Sequence, residues 1–149
     1  MKICMVVSPG GHLYQAMMLK DWWGNFSRFW ITLNSPDSSY LLKDERVRYG
    51  FGPENRNVVN FFRNFILAFF ILIKEKPQLI FSTGAGIAPP FFIWAKIMGI
   101  KTIYLEPYDF IEELSLTGKL VMPISTHFLV QHEQLTQKYP KAKHQGSIV

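Results

Sequence analysis

An apolar run that ends in a glycine turn opens the chain. Residues 2–12 read Lys2-Ile3-Cys4-Met5-Val6-Val7-Ser8-Pro9-Gly10-Gly11-His12. The apolar residues do not alternate with polar ones, which is typical of a strand buried on both faces of a parallel sheet. A helical pattern follows from His12 to about Trp23 and is broken at Gly24. The stretch therefore predicts a strand, a tight turn and a helix, the first unit of an α/β fold.

The rest of the chain repeats this alternation. Further strands are predicted at residues 29–33, 47–51, 78–83, 101–106 and 126–131, helices at 40–43, 57–75 and 89–98, and a short helix and a strand-like segment (146–149) at the end. Pro77 ends the long helix, and Gly99 fits the end of the next one. Alternating strands and helices give a parallel sheet with helices on both faces. We expect a single Rossmann-like α/β domain over residues 1–149.

The composition limits the kinds of partner. Charged residues make up 18% of the chain, below the roughly 25% that is usual for soluble domains. The net charge of +5 suits an anionic membrane surface or a phosphorylated ligand and does not choose between them. Nucleic acid is not an expected partner, because the lysines and arginines are dispersed. Cys4 is the only cysteine, which excludes an intrachain disulfide, and the five apolar residues after Lys2 are too few for a signal peptide.

Three predicted loops should meet at one edge of the sheet. Glycine turns follow the first strand and the strand at 78–83, and an acidic residue ends the strand at 101–106. Ligands of such sheets bind beyond the carboxyl ends of the strands. The residues expected at this site are Ser8, Gly10, Gly11, His12, Gly84, Ala85, Gly86 and Glu106. They make this edge the candidate site for binding a phosphate or an acceptor.

Each part of this edge has an alternative interpretation. The first glycine turn is either a phosphate cradle at a helix N-terminus or a plain tight turn. His12 is either a neutral base aimed at an acceptor hydroxyl or a solvent-facing side chain. Glu106 is either a site carboxylate or a solvated strand end. The turn lacks the third glycine and the distant acid of a dinucleotide site, so neither NAD nor FAD is expected.

Two other motifs resemble a nucleotide-binding loop and a metal site but lack required residues or spacing. Residues 116–120, LTGKL, imitate the end of a P-loop, but Leu120 replaces the required hydroxyl residue and Glu113 replaces the first glycine. His127 and His132 lie five residues apart, and no His or Cys pair has the spacing of metal ligands. We therefore expect neither a metal nor a cofactor.

The most apolar part of the chain is the helix predicted at 57–75. Its uninterrupted apolar core, residues 65–73, is much shorter than the roughly 20 residues of a membrane span. Apolar side chains lie all round it, whereas a helix with only one face on a sheet keeps a polar face. We therefore favour contact with a membrane surface or a partner over packing on the sheet alone. The residues expected to make this contact are Phe61, Phe62, Phe65, Phe69 and Phe70.

Five segments together resemble a known family. They are SPGGHLYQ (8–15), FSTGAGIAPPF (81–91), IYLEPYDFIEELSLTGKL (103–120), PISTHFLVQ (123–131) and YPKAKHQGSI (139–148). In this order they resemble the PssD/CpsF family of polysaccharide biosynthesis. That family is similar to the membrane-side subunit of the bipartite N-acetylglucosamine transferase of dolichol-linked glycan assembly. More distantly, it resembles the N-terminal half of MurG-type glycosyltransferases.

The resemblance implies one half of a two-domain glycosyltransferase of the GT-B kind. The chain would be the N-terminal, acceptor-side and membrane-anchoring subunit, and a second subunit would bind most of the UDP-sugar donor. The acceptor would be a lipid-linked saccharide of bacterial capsular or exopolysaccharide biosynthesis. The complex would be cytoplasmic and peripheral on the inner face of the cell membrane.

The resemblance also implies a chemistry. Transfer would be a direct displacement with inversion, in which His12 accepts the proton of the attacking hydroxyl and Glu106 is the second catalytic residue. An alternative is a non-catalytic enhancer or scaffold that docks a catalytic partner to the membrane.

Overall fold

A computed structural model describes residues 1–148 of the chain and contains a parallel sheet of seven strands. The strands are β1 (Lys2–Val7), β2 (Ser27–Thr32), β3 (Val47–Tyr49), β4 (Leu79–Gly84), β5 (Lys101–Leu105), β6 (His127–Val130) and β7 (Lys143–His144). Their order in the sheet is β3-β2-β1-β4-β5-β6-β7, and every neighbouring pair is parallel. The order reverses direction between β1 and β4, so the loops after these two strands flank a crevice at the carboxyl edge.

Within residues 1–148, seven helices cover the two faces of the sheet. They are α1 (Gly11–Met17), α2 (Lys20–Trp23), α3 (Pro36–Leu41), α4 (Val58–Glu75), α5 (Ala88–Met98), α6 (Leu116–Val121) and α7 (Gln134–Lys138), with a 3-10 turn at Met122–Ile124. Ser35, Asn57 and Ser115 cap α3, α4 and α6 with their side chains. Gly99 ends α5 in the left-handed conformation.

Strand β1 separates two hydrophobic cores. Cys4 and Val6 belong to the core beneath α4 and α5, whereas Ile3, Met5 and Val7 belong to the core beneath α1 and α2. Successive side chains of a strand point to opposite faces, so an unbroken apolar run is what a central strand with two covered faces needs. The predicted single α/β domain with helices on both faces of a parallel sheet is confirmed.

Some predicted elements differ from the structure. The first helix is two helices, because the chain turns at Leu19 and lets the buried Trp23 donate its indole N–H to the Ala16 carbonyl at 2.8 Å. The predicted last strand at 146–149 is wrong for residues 146–148, because the last strand of the sheet, β7, is Lys143–His144. The Ile148 amide donates to the side chain of Gln131 at 3.2 Å instead of to a neighbouring strand. Val149 lies outside the described residues. Helix α6, which occupies the P-loop-like segment, was not predicted.

Candidate functional site

A cleft of about 900 Å³ opens at the carboxyl edge of the sheet. One wall is formed by His12 and the second glycine loop, a second by residues 54–58 and the start of α4, and a third by α6. Residues that line it include His12, Glu54, Arg56, Phe61, Phe62, Ala85, Gly86, Tyr104, Ser115, Leu116 and Leu120. The cleft thus contains ionisable groups near the sheet and apolar side chains toward α4 and α6.

His12 is held by two hydrogen bonds to the end of β4. Its Nδ1 lies 3.0 Å from the Thr83 carbonyl oxygen, and the Thr83 hydroxyl donates to the His12 carbonyl at 2.6 Å. A carbonyl oxygen can only accept, so a neutral His12 carries its proton on Nδ1. Its Nε2 then keeps a lone pair, as a general base requires.

The second glycine loop is packed from both sides. A Cβ on Gly84 would lie 2.9 Å from His12 Nδ1 and 3.1 Å from the Tyr104 hydroxyl. A Cβ on Gly86 would lie 3.3 Å from the side chain of Glu54. These glycines are therefore places where side chains from other elements press on the backbone, which explains why the loop has no larger residue there.

Several amides of the two glycine loops already have acceptors within the protein. The Gly10 amide donates to Asp37 at 2.6 Å, the Gly84 amide to the Ser82 hydroxyl at 2.9 Å and the Ala85 amide to the Ser8 hydroxyl at 2.9 Å. Hydrogen bonds from Ser35 and from Gly10 hold the pKa of Asp37 below its usual value. A phosphate would have to displace these acceptors, so phosphate binding by Gly10, Gly84 and Ala85 stays a prediction.

The structure brings Ser8 and Gly11 to the predicted edge as well. The Ser8 amide donates to the Gly84 carbonyl at 2.8 Å, so Ser8 joins the first glycine loop to the second through both its backbone and its side chain. A Cβ on Gly11 would meet no atom within 4 Å. Gly11 thus faces open space beside the site.

Glu106 is enclosed rather than open to the cleft. It is fully buried, and its carboxylate accepts hydrogen bonds from the Ser115 amide at 3.0 Å and the Ser115 hydroxyl at 2.6 Å. Burial raises the pKa of Glu106 from 4.5 to about 7, against the opposing effect of the bonds from Ser115. Burial, followed by the nearby Glu106 carboxylate, also raises the pKa of Tyr104. In this position Glu106 holds the first turn of α6, and its predicted catalytic role stays a prediction.

Helix α6 explains the P-loop-like sequence. Ser115 accepts the Gly118 amide at 2.9 Å as the N-cap, and a Cβ on Gly118 would overlap the Glu106 carboxylate. The glycine of LTGKL therefore makes room for a buried carboxylate instead of binding a nucleotide. A capping serine three residues before this glycine was the signal for a helix start.

The phenylalanine-rich helix α4 buries two asparagines and exposes two phenylalanines. Its buried residues include Asn60 and Asn64, whereas Phe62 is 57% exposed and Phe70 is 63% exposed. The predicted contact residues fall into two groups, because Phe65 and Phe69 pack on Trp94 with ring centroids 4.7 and 4.8 Å away. Phe61 is partly buried against Phe65 and lines the cleft.

The exposed side of α4 is an apolar stripe, which we name the exposed α4 face. Its members are Val58, Phe62, Ile66, Phe70 and Ile73. Residues spaced by three or four positions lie on one side of a helix, so these side chains are contiguous. Contiguous exposed apolar side chains mark contact with a protein or a membrane.

Within residues 1–148, no group of three His, Cys, Asp or Glu side chains is placed to hold a metal ion. No helix in this part of the chain is long and apolar enough to cross a membrane.

The chain matches a family model over residues 32–148. The model describes Alg14-like oligosaccharide biosynthesis proteins. The chain belongs to the Alg14 family. The broader form of the predicted resemblance is thereby confirmed, whereas the narrower assignment to the PssD/CpsF family stays a prediction.

Similar proteins agree with this family membership. A UDP-N-acetylglucosamine transferase subunit ALG14 from Candida albicans is 28% identical, with 99% of this chain and 78% of the relative covered. The human subunit of the same name is 35% identical over 56% of this chain and 41% of its own length. The crystal structure of Acinetobacter baumannii MurG superposes with a TM-score of 0.78 at 15% identity, over 99% of this chain and 45% of MurG. This Alg14-family chain therefore has the fold of slightly less than half of MurG.

Proposed function

We propose that this chain is the acceptor-side subunit of a two-component glycosyltransferase. A partner subunit would bind the UDP-sugar, and this chain would present a lipid-linked saccharide to it at a membrane surface. The observation that carries the proposal is a braced histidine in a cleft that opens between the exposed α4 face and α6, on a chain with the fold of half of MurG. The names of the ALG14 relatives, UDP-N-acetylglucosamine transferase subunits, support this reaction class and make N-acetylglucosamine the first donor sugar to test.

The chemistry that His12 can supply is proton transfer. With its Nδ1 proton donated to the Thr83 carbonyl, its Nε2 accepts the proton of the acceptor hydroxyl as that hydroxyl attacks the anomeric carbon. The bond from the anomeric carbon to UDP breaks, and the configuration inverts. The hydrogen bond to Thr83 also stabilises the imidazolium that forms, because the charged ring donates more strongly.

The membrane side of the proposal rests on the exposed α4 face. Phe62 belongs both to this face and to the cleft lining. A lipid chain lying along the face would therefore enter the cleft without crossing polar surface. Arg63 and Lys74 flank the face and suit anionic headgroups.

The same face favours a second candidate function. A subunit that only docks a catalytic partner to the membrane needs an apolar surface and no base. In that case the exposed α4 face would carry the function, and His12 would be a structural residue that packs on Gly84.

One experiment separates the two candidates. Transfer from radiolabelled UDP-N-acetylglucosamine and other UDP-sugars to a membrane lipid fraction is measured with this chain alone, with the donor-binding subunit alone and with both. We expect activity only with both, and a loss of roughly 10²–10⁴-fold with His12→Ala. His127→Ala is the matched control, since His127 is exposed at the opposite edge of the sheet. Activity of the partner alone together with a silent His12→Ala would establish the docking function instead.

The matched family model describes oligosaccharide biosynthesis proteins, which supports a saccharide acceptor. No comparison supports the predicted capsular or exopolysaccharide pathway, and the lipid link of the acceptor is part of the proposal. A cytoplasmic, peripheral location on the inner face of the cell membrane is the location that we propose for the complex. Flotation of the complex with liposomes of anionic lipid, compared with a Phe62→Ser/Phe70→Ser variant, tests the membrane contact.

A further inference from the structure

Residues 50–57, which connect β3 to α4, form a braced wall of the cleft. The Gly50 amide donates to the Thr32 carbonyl at 2.8 Å, and the Phe51 amide donates to the Asn64 side chain at 2.8 Å. The Asn64 side chain donates back to the Phe51 carbonyl at 3.0 Å, and that of Asn60 donates to the Pro53 carbonyl at 2.8 Å. Four hydrogen bonds to neighbouring elements thus fix this connection, which we name the 50–57 arm.

The asparagines that hold the arm occupy core positions. Asn64 is 1% exposed and Asn60 is 5% exposed, in a helix whose other buried residues are apolar. A buried amide is costly unless it is fully hydrogen-bonded, and here both amides serve the backbone of the arm. The start of α4 therefore uses its inward face to position the arm instead of burying apolar surface.

Glu54 is the acidic residue among the four arm residues, 54–57, that line the cleft. Its Cβ and Cγ lie 3.3 Å from the position where Gly86 would carry a Cβ, so it packs on the second glycine loop. Its Oε2 is withdrawn from water and has no hydrogen-bond partner among residues 1–148. An unpaired, buried carboxylate oxygen is rare in folded proteins. Because Glu54 lines the cleft, a rotation of its side chain would turn this oxygen toward a donor from a ligand.

The second glycine loop lies between Glu54 and His12. His12 packs on Gly84 and Glu54 packs on Gly86, two residues further along the loop, and both side chains line the cleft. A sugar bound against this loop would lie between the two side chains. A carboxylate repels phosphate and accepts hydrogen bonds from hydroxyl groups, so the saccharide of the acceptor suits this position better than its diphosphate.

We propose that Glu54 accepts a hydrogen bond from a hydroxyl of the acceptor saccharide and thereby determines which sugar is placed before His12. This inference rests on the proposed function and goes beyond it, because it assigns the sugar-reading group to the 50–57 arm. Asn60 and Asn64 are positioning residues for the arm.

The test measures steady-state kinetics of the two-subunit complex with soluble acceptors. The probes are farnesyl-diphosphate-linked glucose and N-acetylglucosamine, and the corresponding sugars that lack one hydroxyl each. With Glu54→Ala we expect the KM for the acceptor to rise roughly ten- to hundredfold, as for a lost bond to a charged group, with the KM for UDP-sugar unchanged. Glu112→Gln is the matched control, since Glu112 is exposed and lies outside the cleft lining.

The deoxy acceptors identify the hydroxyl that Glu54 contacts. We expect one of them to have a similarly raised KM with the wild-type complex and with Glu54→Ala, because the bond is absent in both. Gly86→Ala pushes on Glu54, so it should raise the acceptor KM in the wild-type background and have little further effect beside Glu54→Ala.

Two results would overturn the inference in distinguishable ways. An active complex in which Glu54→Ala leaves the acceptor KM unchanged removes the role of Glu54 and leaves the proposed function intact. A wild-type complex that neither transfers sugar nor binds the farnesyl-linked acceptors in a calorimetric titration removes the proposed function and this inference with it.

Discussion

The two glycine loops have similar sequences and opposite surroundings. A Cβ on Gly10 or Gly11 would meet no atom within 4 Å, whereas one on Gly84 or Gly86 would press on a side chain. The first loop thus faces open space beside the site, and the second is enclosed between His12, Tyr104 and Glu54. A glycine pair in a sequence therefore signals close approach without saying whether the approaching group is a ligand or the protein itself.

The largest effect should come from the enclosed loop. Gly84 has a φ of +105°, and a methyl group there would also press on His12 and Tyr104. We expect Gly84→Ala to lower the free energy of unfolding by roughly 2–5 kcal/mol, the sum of backbone strain and overpacking. Urea denaturation measures it.

Gly99→Ala is the control that separates these two causes. Gly99 has a φ of +74°, but nothing lies within 4 Å of its Cβ position. Gly99→Ala should lower the free energy of unfolding by only about 1–2 kcal/mol, the cost of placing an alanine in the left-handed conformation. Equal losses for Gly84→Ala and Gly99→Ala would show that the contacts with His12 and Tyr104 do not constrain the loop.

The next largest effect is a pH dependence of the free energy of unfolding, and it comes from the residues packed beneath the second glycine loop. Tyr104 packs under Gly84 and lies near Glu106, whose pKa burial raises from 4.5 to about 7. The folded state then binds this proton more tightly than the unfolded state, so stability falls as pH rises from about 4.5 to about 7. The contribution lost over this window is about 3 kcal/mol, and it stays lost above pH 7.

Glu106→Gln removes this titration and keeps an oxygen that accepts from Ser115. Unfolding free energies at pH 5 and pH 8 should therefore differ less in the variant than in the wild-type chain. The same pH dependence in both chains would mean that Glu106 is ionised in the folded state at pH 5 and that water reaches its carboxylate.

The sequence predicts the position of both glycine loops but not their different surroundings. Strand β1, the end of α4 before Pro77 and the end of α5 at Gly99 could be predicted, because the signals are local. The meeting of both glycine loops with Glu106 at one edge followed from the direction of parallel strands.

The remaining features depend on contacts between residues that are distant in sequence. Glu106 is enclosed because Ser115 folds back on it, and α4 turns Asn64 inward because Phe51 lies there. The sequence predicts that the phenylalanines of α4 contact a membrane or a partner, without distinguishing among them. Phe62 and Phe70 are exposed, whereas Phe65 and Phe69 pack on Trp94. Asparagines take two of the inward positions of the helix. The clue was present as two asparagines four residues apart, Asn60 and Asn64, but their partners could not be read from it.

A smaller effect is expected in the open loop at Gly10. This residue has a φ of +84° and open space around its Cβ position, so Gly10→Ala should cost only the backbone strain, about 1–2 kcal/mol. The bond from its amide to Asp37 should persist. A loss as large as that of Gly84→Ala in the same denaturation series would mean that the first loop is enclosed too.

Gly11→Ala should have the smallest effect on stability and is the most informative about ligands. Gly11 has neither a positive φ nor any atom within 4 Å of its Cβ position, so the unfolding free energy should change by less than about 0.5 kcal/mol. If a ligand approaches this backbone as the sequence predicts, the added methyl group must lower transfer by the two-subunit complex while stability is retained. Unchanged stability with unchanged acceptor KM would make the first loop a plain turn and would leave ligand contact to the His12 and Glu54 side of the cleft.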